Sequence, residues 1–396
     1  MKRVIIILEG ASESGDAELR SDTPLHAART PALDALARHA RLGTARMTPE
    51  DSAPGAEVSL AATLGIDPLR FSIGRGPAEA LAYGLEIGRS DALLRASLVT
   101  VDDGILSDWA PEPLRLAEVR GFLHAINTDA PEGAEVLCGD GHRCILAVRN
   151  STACRAVQTL SPVEVMGKPV RAHLPFGRGS RALAKWMQQA MTRLEGHELN
   201  HIRADLGEPE VTGVWFWGAG EIPRIPSWRD RFGVGGELIT SCALMQGIGR
   251  VARLDVDAWQ PRPRDRREET ASLASRAVLA LDRRDFVCVH TDWPDYAGHR
   301  GERDAKIAAI ETCDAELVRP VVDRLAQEPA WRLLVTTAHS TPTATRVHSA
   351  TPAPLLIAGP GIESNRGEAF DEANAAAGEI RLERGSDLME YFVARA

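Results

Sequence analysis

Six short apolar runs, most of them rich in β-branched residues, punctuate the 396-residue chain and narrow the folds open to it. They are Val4–Leu8, Leu98–Val101, Val214–Trp217, Phe286–His290, Leu333–Thr337 and Leu355–Ala358, separated by alanine-rich amphipathic stretches. Runs of this kind suit strands buried on both faces, and the alternation predicts a mostly parallel sheet covered by helices. Several runs end in polar residues: Glu9 after the first, Asp292 and Asp295 after "DFVCVH", and His339 after "RLLVTTA". In open α/β sheets ligands gather beyond the carboxyl ends of strands, so chemistry is expected at these ends.

Helices are predicted over Thr30–His39, with Thr30 as N-cap and a proline in the first turn, and over Pro77–Tyr83 and Ser180–Leu194. Another is predicted over Asp304–Ala326, interrupted or kinked at Pro320. Between about 112 and 208 the texture changes: "EVLCGDGHRCILAVRN" reads as two strands around a glycine-rich turn, and a long helix follows. The chain is too long for one small core. The expected organisation is a discontinuous domain, 1–111 with 209–396, carrying an inserted smaller α/β subdomain at 112–208. The Pro- and charge-rich stretches "IPRIPSWRDRFG" and "QPRPRDRREE" read as loops.

A net charge of −9 argues against a nucleic-acid partner, which needs a clustered basic surface. Six cysteines stand far apart with no C-x-x-C pair, so neither a zinc knuckle nor a disulfide framework is indicated, and a reducing, cytoplasmic setting is expected. The apolar start "MKRVIIILEG" is too short for a signal peptide and reads as a buried strand. No apolar run approaches a membrane span.

In "TDWPDYAGH" a carboxylate and an imidazole, Asp295 and His299, stand four apart after a buried strand. On a helical turn they face one point, which suits a divalent metal and equally a surface ion pair or helix cap. In "TTAHSTPTATRVHSATPAPLLIAG", His339 follows a strand and His348 precedes the next. Each histidine taken singly reads equally as a satisfied core residue; together with Asp295 they form a candidate metal set. The "GRGP" segment lacks P-loop or dinucleotide spacing and reads as a tight turn with Arg75 anchored.

The stretches "DTPLHAARTPALDALA", "PGAEVSLAATLGIDP", "GRGPAEAL", "RASLVTVDDG", "GHRCILAV", "WGAG", "PDYAGH" and "AHSTPTATRVHSATPAPLLIAG", in this order, resemble archaeal-type cofactor-independent phosphoglycerate mutases. These form a branch of the alkaline phosphatase superfamily. The resemblance implies an alkaline-phosphatase-like α/β fold and two adjacent manganese or zinc ions. One would be held by the residues matching Asp295, His299 and His348. The other would need an Asp, the nucleophilic Ser and an Asp-His pair, positions that fall here on Glu9, Ala56, Ala338 and His339. Three of those four have changed.

Alanine has no attacking oxygen, and removing a serine nucleophile costs about a millionfold in kcat in a serine protease. Ser59 lies on the same helical face about 5 Å farther along and reads as a poor substitute. The expectation is one divalent metal, Mn or Zn, with Glu9 and His339 as weaker additional ligands and a second metal weak or absent. The family's R-G-A-G arginine falls on Trp217, and a "GATG"-like loop falls on "QPRPRD" at 260–265, which puts phosphoglycerate itself in doubt. Candidate anion contacts are Arg75, Arg95, Asn200, Arg203 and Lys306, each fitting a structural ion pair equally well.

Three readings follow. The chain is a metal-binding relative that no longer forms phosphoserine and takes a small phosphorylated or anionic ligand, with room for a protein partner. Alternatively, it is a single-metal hydrolase of a phosphorylated or phosphonate small molecule, or a working mutase. Neither a nucleic acid nor a membrane is expected as a partner.

Overall fold

The computed structural model describes residues 1–13, 23–256, 265–365 and 367–395. The chain forms two compact units, one of Met1–Ser72 with Pro223–Ala396 and the other of Ile73–Ile222. The smaller unit is therefore wider than the 112–208 segment marked by sequence texture. The reason is the long strand Ala92–Asp102, which pairs with Arg143–Val148 and with Gly213–Trp217, so segments on both flanks share its sheet.

The larger unit is built on an eight-stranded sheet. Its order is Ile380–Leu382, Arg41–Ala45, Ala353–Ala358, Trp331–Thr336, Lys2–Leu8, Phe286–Thr291, Glu237–Ile239 and Asp255–Val256. Lys2–Leu8 runs parallel to both neighbours, with Ile7 opposite His290 on one side and Thr336 on the other. Only Ala353–Ala358 is antiparallel to its partners. Val4, Ile5, Ile6, Ile7 and Leu8 are fully buried, as expected of a central strand covered on both faces. Val4, Ile6, Val287, Val289, Leu333 and Val335 share a core with Leu273, Ala277 and Leu281 of helix Arg266–Arg283 and with Val318 and Val321. Each such aliphatic side chain contributes about 1.5–3 kcal/mol by leaving water.

Two helix expectations change in detail. Helix Pro31–Ala37 has Thr30 as N-cap and Pro31 at its first position, but Thr30 makes no capping bond. Asp314 accepts instead from the amides of Ala32 at 3.0 Å and Leu33 at 2.8 Å, while Thr30 Oγ1 donates to Asp34. The stretch at 303–325 is α-helical over Arg303–Cys313 and Arg319–Leu325, with a π-helical turn at Asp314–Val318 between them. Pro320 has no N–H to offer the carbonyl one turn back, and the wider turn falls where that bond is missing.

The smaller unit carries a five-stranded sheet in which every pairing is antiparallel. The runs Leu98–Val101 and Val214–Trp217, expected in the parallel sheet, lie here. "EVLCGDGHRCILAV" forms the expected strand pair, Ala134–Asp140 with Arg143–Val148, and helix Ser180–Leu194 has its expected bounds. No helix among the described residues is long and apolar enough to cross a membrane.

Candidate metal centre

Three neighbouring parallel strands deliver the residues of the site from their carboxyl ends. Glu9 follows Lys2–Leu8, helix Trp293–Arg300 starts just after Phe286–Thr291, and His339 follows Trp331–Thr336. Asp295 lies in the first turn of that helix and His299 one turn later, on the same face. Asp295 Oδ2 is 3.3 Å from His299 Nε2, while Oδ1 is 3.1 Å from His339 Nε2 and 3.4 Å from His348 Nε2. Thr341 Oγ1 donates to the same carboxylate. Gly10 makes room for it: a Cβ there would stand 2.6 Å from Asp295, and φ of +68° favours glycine.

Burial works against the ionisation of Asp295, yet the charge of His299 and hydrogen bonds with His299, His339 and His348 hold its carboxyl well below the usual carboxylate range. Burial, then the neighbouring His339, pushes His348 down to about 3, so its imidazole is neutral.

Hydrogen bonding sets which ring nitrogen faces the carboxylate. His299 Nδ1 donates to the Arg346 carbonyl at 2.7 Å, which leaves Nε2 for a proton or a metal ion. His339 Nδ1 is 2.7 Å from Ser59 Oγ, a contact that holds the ring with Nε2 facing inward toward Asp295. His299 Nε2 and His348 Nε2 are 2.9 Å apart. A tetrahedral zinc with bonds near 2.0–2.1 Å sets its ligand atoms about 3.3 Å apart. The spacings are near that shell, at 3.3 Å from Asp295 Oδ2 to His299, 3.4 Å from Oδ1 to His348 and a closer 2.9 Å between the two rings. Glu9, Asp295 and His339 also converge, but Glu9 Oε1 is 3.8 Å from His339 Nε2 and its other oxygen is 2.6 Å from His290 Nε2.

Ala56 is the first residue of helix Ala56–Thr63 and is buried. Ser59, expected as a poor substitute one turn away, is fully buried and bonded to His339; its spacing after Ala56 was the one sequence signal for this contact. Ala338 is buried with φ of 58°, a left-handed conformation unusual for alanine. Thr341 and Gly10 carried no sequence signal of their own.

The anion candidates divide. Lys306 belongs to the larger unit, but its Nζ donates to Ser12 O, Glu13 Oε1 and Thr341 O at 3.3, 3.1 and 2.9 Å. Three donors with three protein acceptors tie the loops together, which corresponds to the structural one of the two readings. Asn200 bridges the Leu194 and Val211 backbone, and buried Arg203 serves the Pro111, Pro113 and Pro209 carbonyls and Glu118. Both are structural in place of the anion contacts expected of them. Arg75 and Arg95 do come together, with Nε and Nη1 at 3.1 and 2.6 Å from Glu79 Oε1. Their guanidinium carbons stand 4.9 and 5.3 Å from the Trp217 ring centre, whose Nε1 donates to Ser97. Burial opposes ionisation of Glu79, but Arg95 and Arg75 hold its carboxyl below the usual range. Of "QPRPRD", residues 260–264 lie outside the described residues, and Asp265 caps helix Arg266–Arg283.

A mostly parallel α/β sheet with carboxylate and imidazole side chains gathered beyond its strand ends is the arrangement of a candidate metal centre. The family model described as the metalloenzyme superfamily matches residues 1–389. The chain belongs to that superfamily and, within it, to the 2,3-bisphosphoglycerate-independent phosphoglycerate mutase family. It is 33% identical to the 2,3-bisphosphoglycerate-independent phosphoglycerate mutase of Methanothrix thermoacetophila, and the match covers 100% of both chains. It is 32% identical to the probable enzyme of that name from Geobacter sulfurreducens, again over 100% of each. Among solved structures, the PH0037 protein from Pyrococcus horikoshii superposes with a TM-score of 0.75 at 25% identity, covering 100% of this chain and 98% of that one. The cofactor-independent phosphoglycerate mutase from Thermoplasma acidophilum shares the fold, with a TM-score of 0.55 at 23% identity over 99% of each chain.

Proposed function

We propose that this chain is a phosphoglycerate-mutase relative that binds one divalent cation, manganese or zinc, on Asp295, His299 and His348. It takes a small phosphorylated or anionic ligand and no longer passes a phosphoryl group through its own chain. The observation that carries this reading is Ala56: a methyl group opens the helix where the family's nucleophilic serine would stand.

The bound ion supplies positive charge that polarises a phosphoryl oxygen. The chain's own residues prepare for it. The Arg346 carbonyl keeps a proton on the outward nitrogen of His299, Ser59 holds the His339 ring at its outward nitrogen, and Thr341 steadies Asp295. Ser59 sits at Nδ1 of His339, on the ring edge away from Asp295, which argues against its replacing the lost nucleophile. For the anion, Arg75 and Arg95 come together on the carboxylate of Glu79, and guanidinium forks suit phosphate or carboxylate. The wide spacing of the six cysteines suits a reducing setting such as the cytoplasm.

Incubation with 3-phosphoglycerate and manganese, without bisphosphoglycerate, is expected to yield neither 2-phosphoglycerate nor a phosphorylated chain. Turnover at an enzyme's ordinary rate, or a phosphate mapped to residues 54–63, overturns the reading. One observation favours a hydrolytic alternative: a cation with three protein ligands leaves a fourth position for water. Release of inorganic phosphate from a panel of phosphate esters and phosphonates decides between the two.

A further inference from the structure

Glu9 does more than displace a carboxylate. Its Oε2 lies 2.6 Å from His290 Nε2, and both residues are buried, Glu9 just after strand Lys2–Leu8 and His290 near the end of strand Phe286–Thr291. Cys242 completes the group, with one ligand atom from each of Glu9, Cys242 and His290 lying within 4.8 Å of the others. Sulfur, imidazole nitrogen and carboxylate oxygen form a donor set that zinc and cobalt(II) accept and magnesium or calcium do not.

The surroundings suit a cation in three ways. Thr240 Oγ1 lies 2.9 Å from His290 Nδ1 and accepts from the Cys242 amide at 3.0 Å, so one hydroxyl orients both the ring and the cysteine. Cys242 caps helix Ala243–Val251, whose amino-terminal field favours an anionic sulfur ligand. Gln246, four residues on and on the same helix face, is buried, donates from Nε2 to the Thr240 carbonyl and leaves Oε1 without a hydrogen-bond partner.

We propose that Glu9, His290 and Cys242 form a separate site for a thiophilic divalent ion, with Gln246 Oε1 or a water as fourth ligand. Binding releases the thiol proton of Cys242 and replaces the Glu9 to His290 contact by two bonds to the ion. The proton that bridges His290 Nε2 and Glu9 Oε2 leaves that contact, by release or by transfer to Nδ1, so that Nδ1 carries the ring's one proton, donated to Thr240 Oγ1, and the Nε2 lone pair turns to the ion. Small torsions of Cys242 and Glu9 bring the atoms from within 4.8 Å to the spacing of about 3.3–3.8 Å that Zn–N and Zn–S bonds require. Its three ligands are distinct from Asp295, His299 and His348, although Glu9 also approaches Asp295 and His339.

The test is a cobalt(II) titration of the metal-free full chain under reducing conditions, followed by absorption. A saturable thiolate-to-cobalt charge-transfer band with the intensity of one thiolate ligand per chain is expected, together with its complete loss in Cys242→Ser. Serine is a good N-cap, so this variant keeps the helix start, and a thermal melt confirms that it is folded. His299→Ala, which touches none of the three ligands, keeps the band, so the two sites report separately. Absence of the band at saturating cobalt, or its persistence in Cys242→Ser, overturns the proposal.

Discussion

Ser59 Oγ lies 2.7 Å from Nδ1 of His339, joining residues 280 positions apart and holding the imidazole so that Nε2 faces Asp295. Ser59→Ala removes the hydroxyl that holds Nδ1 and frees the ring to turn. Where His339 contributes to the cation, affinity should fall about 10- to 100-fold, the usual effect of losing a hydrogen-bond partner behind a ligand. Calorimetric titration of manganese or zinc into both proteins measures this; equal affinities would show that Ser59 serves packing alone.

Asp295 touches all three imidazoles, so Asp295→Asn should abolish binding of the cation it shares with His299 and His348. A ligand that binds only the folded state stabilises it by about 2.7 kcal/mol at a hundred times its Kd. The wild-type Tm should therefore rise when metal is restored after chelation, with a much smaller rise in the variant. Equal rises in both proteins would place the stabilising ion elsewhere.

His142 gives the smaller unit a defined acid sensitivity. Burial, reinforced by the charge of Arg143 and opposed by a 2.9 Å hydrogen bond to Glu112, pushes its imidazole down to about 4. The unfolded chain, with an ordinary histidine, binds the proton more readily, so this contribution is complete above about pH 6.5 and declines as pH falls toward about 4. Its full extent is about 3 kcal/mol. Urea unfolding across this interval should show a shallower pH slope in His142→Gln than in the wild type; identical slopes would contradict the assignment.

Arg95 is buried and pairs with Glu79, which also takes Arg75. Glu79→Gln leaves a buried guanidinium without its counter-charge, and stability should drop by about 3–5 kcal/mol. Denaturant melts monitored on tryptophan fluorescence test this, since Trp217 lies against both arginines. A loss below about 1 kcal/mol would mean that solvent already screens the pair.

Local pattern carries information about burial and helical faces, and that is where sequence reading succeeded. The apolar run Val4–Leu8 had to be a covered strand because each of its side chains is buried. Asp295 and His299 had to share a face once their segment was helical, since one turn separates them. Leu98–Val101 looked like the other strands, yet it belongs to the antiparallel sheet of the smaller unit, because apolar content reports burial and not the partner.

The amino-acid sequence by itself determined the sheet-and-helix alternation, the Asp295–His299 pair and the missing oxygen at Ala56. Only the tertiary structure decided that Ser59 supports His339, that Glu9 reaches His290 and Cys242, and that Lys306, Asn200 and Arg203 serve the backbone. Contacts spanning hundreds of residues depend on strand order, on register and on the last ångström of side-chain reach, and no periodicity along the chain encodes these.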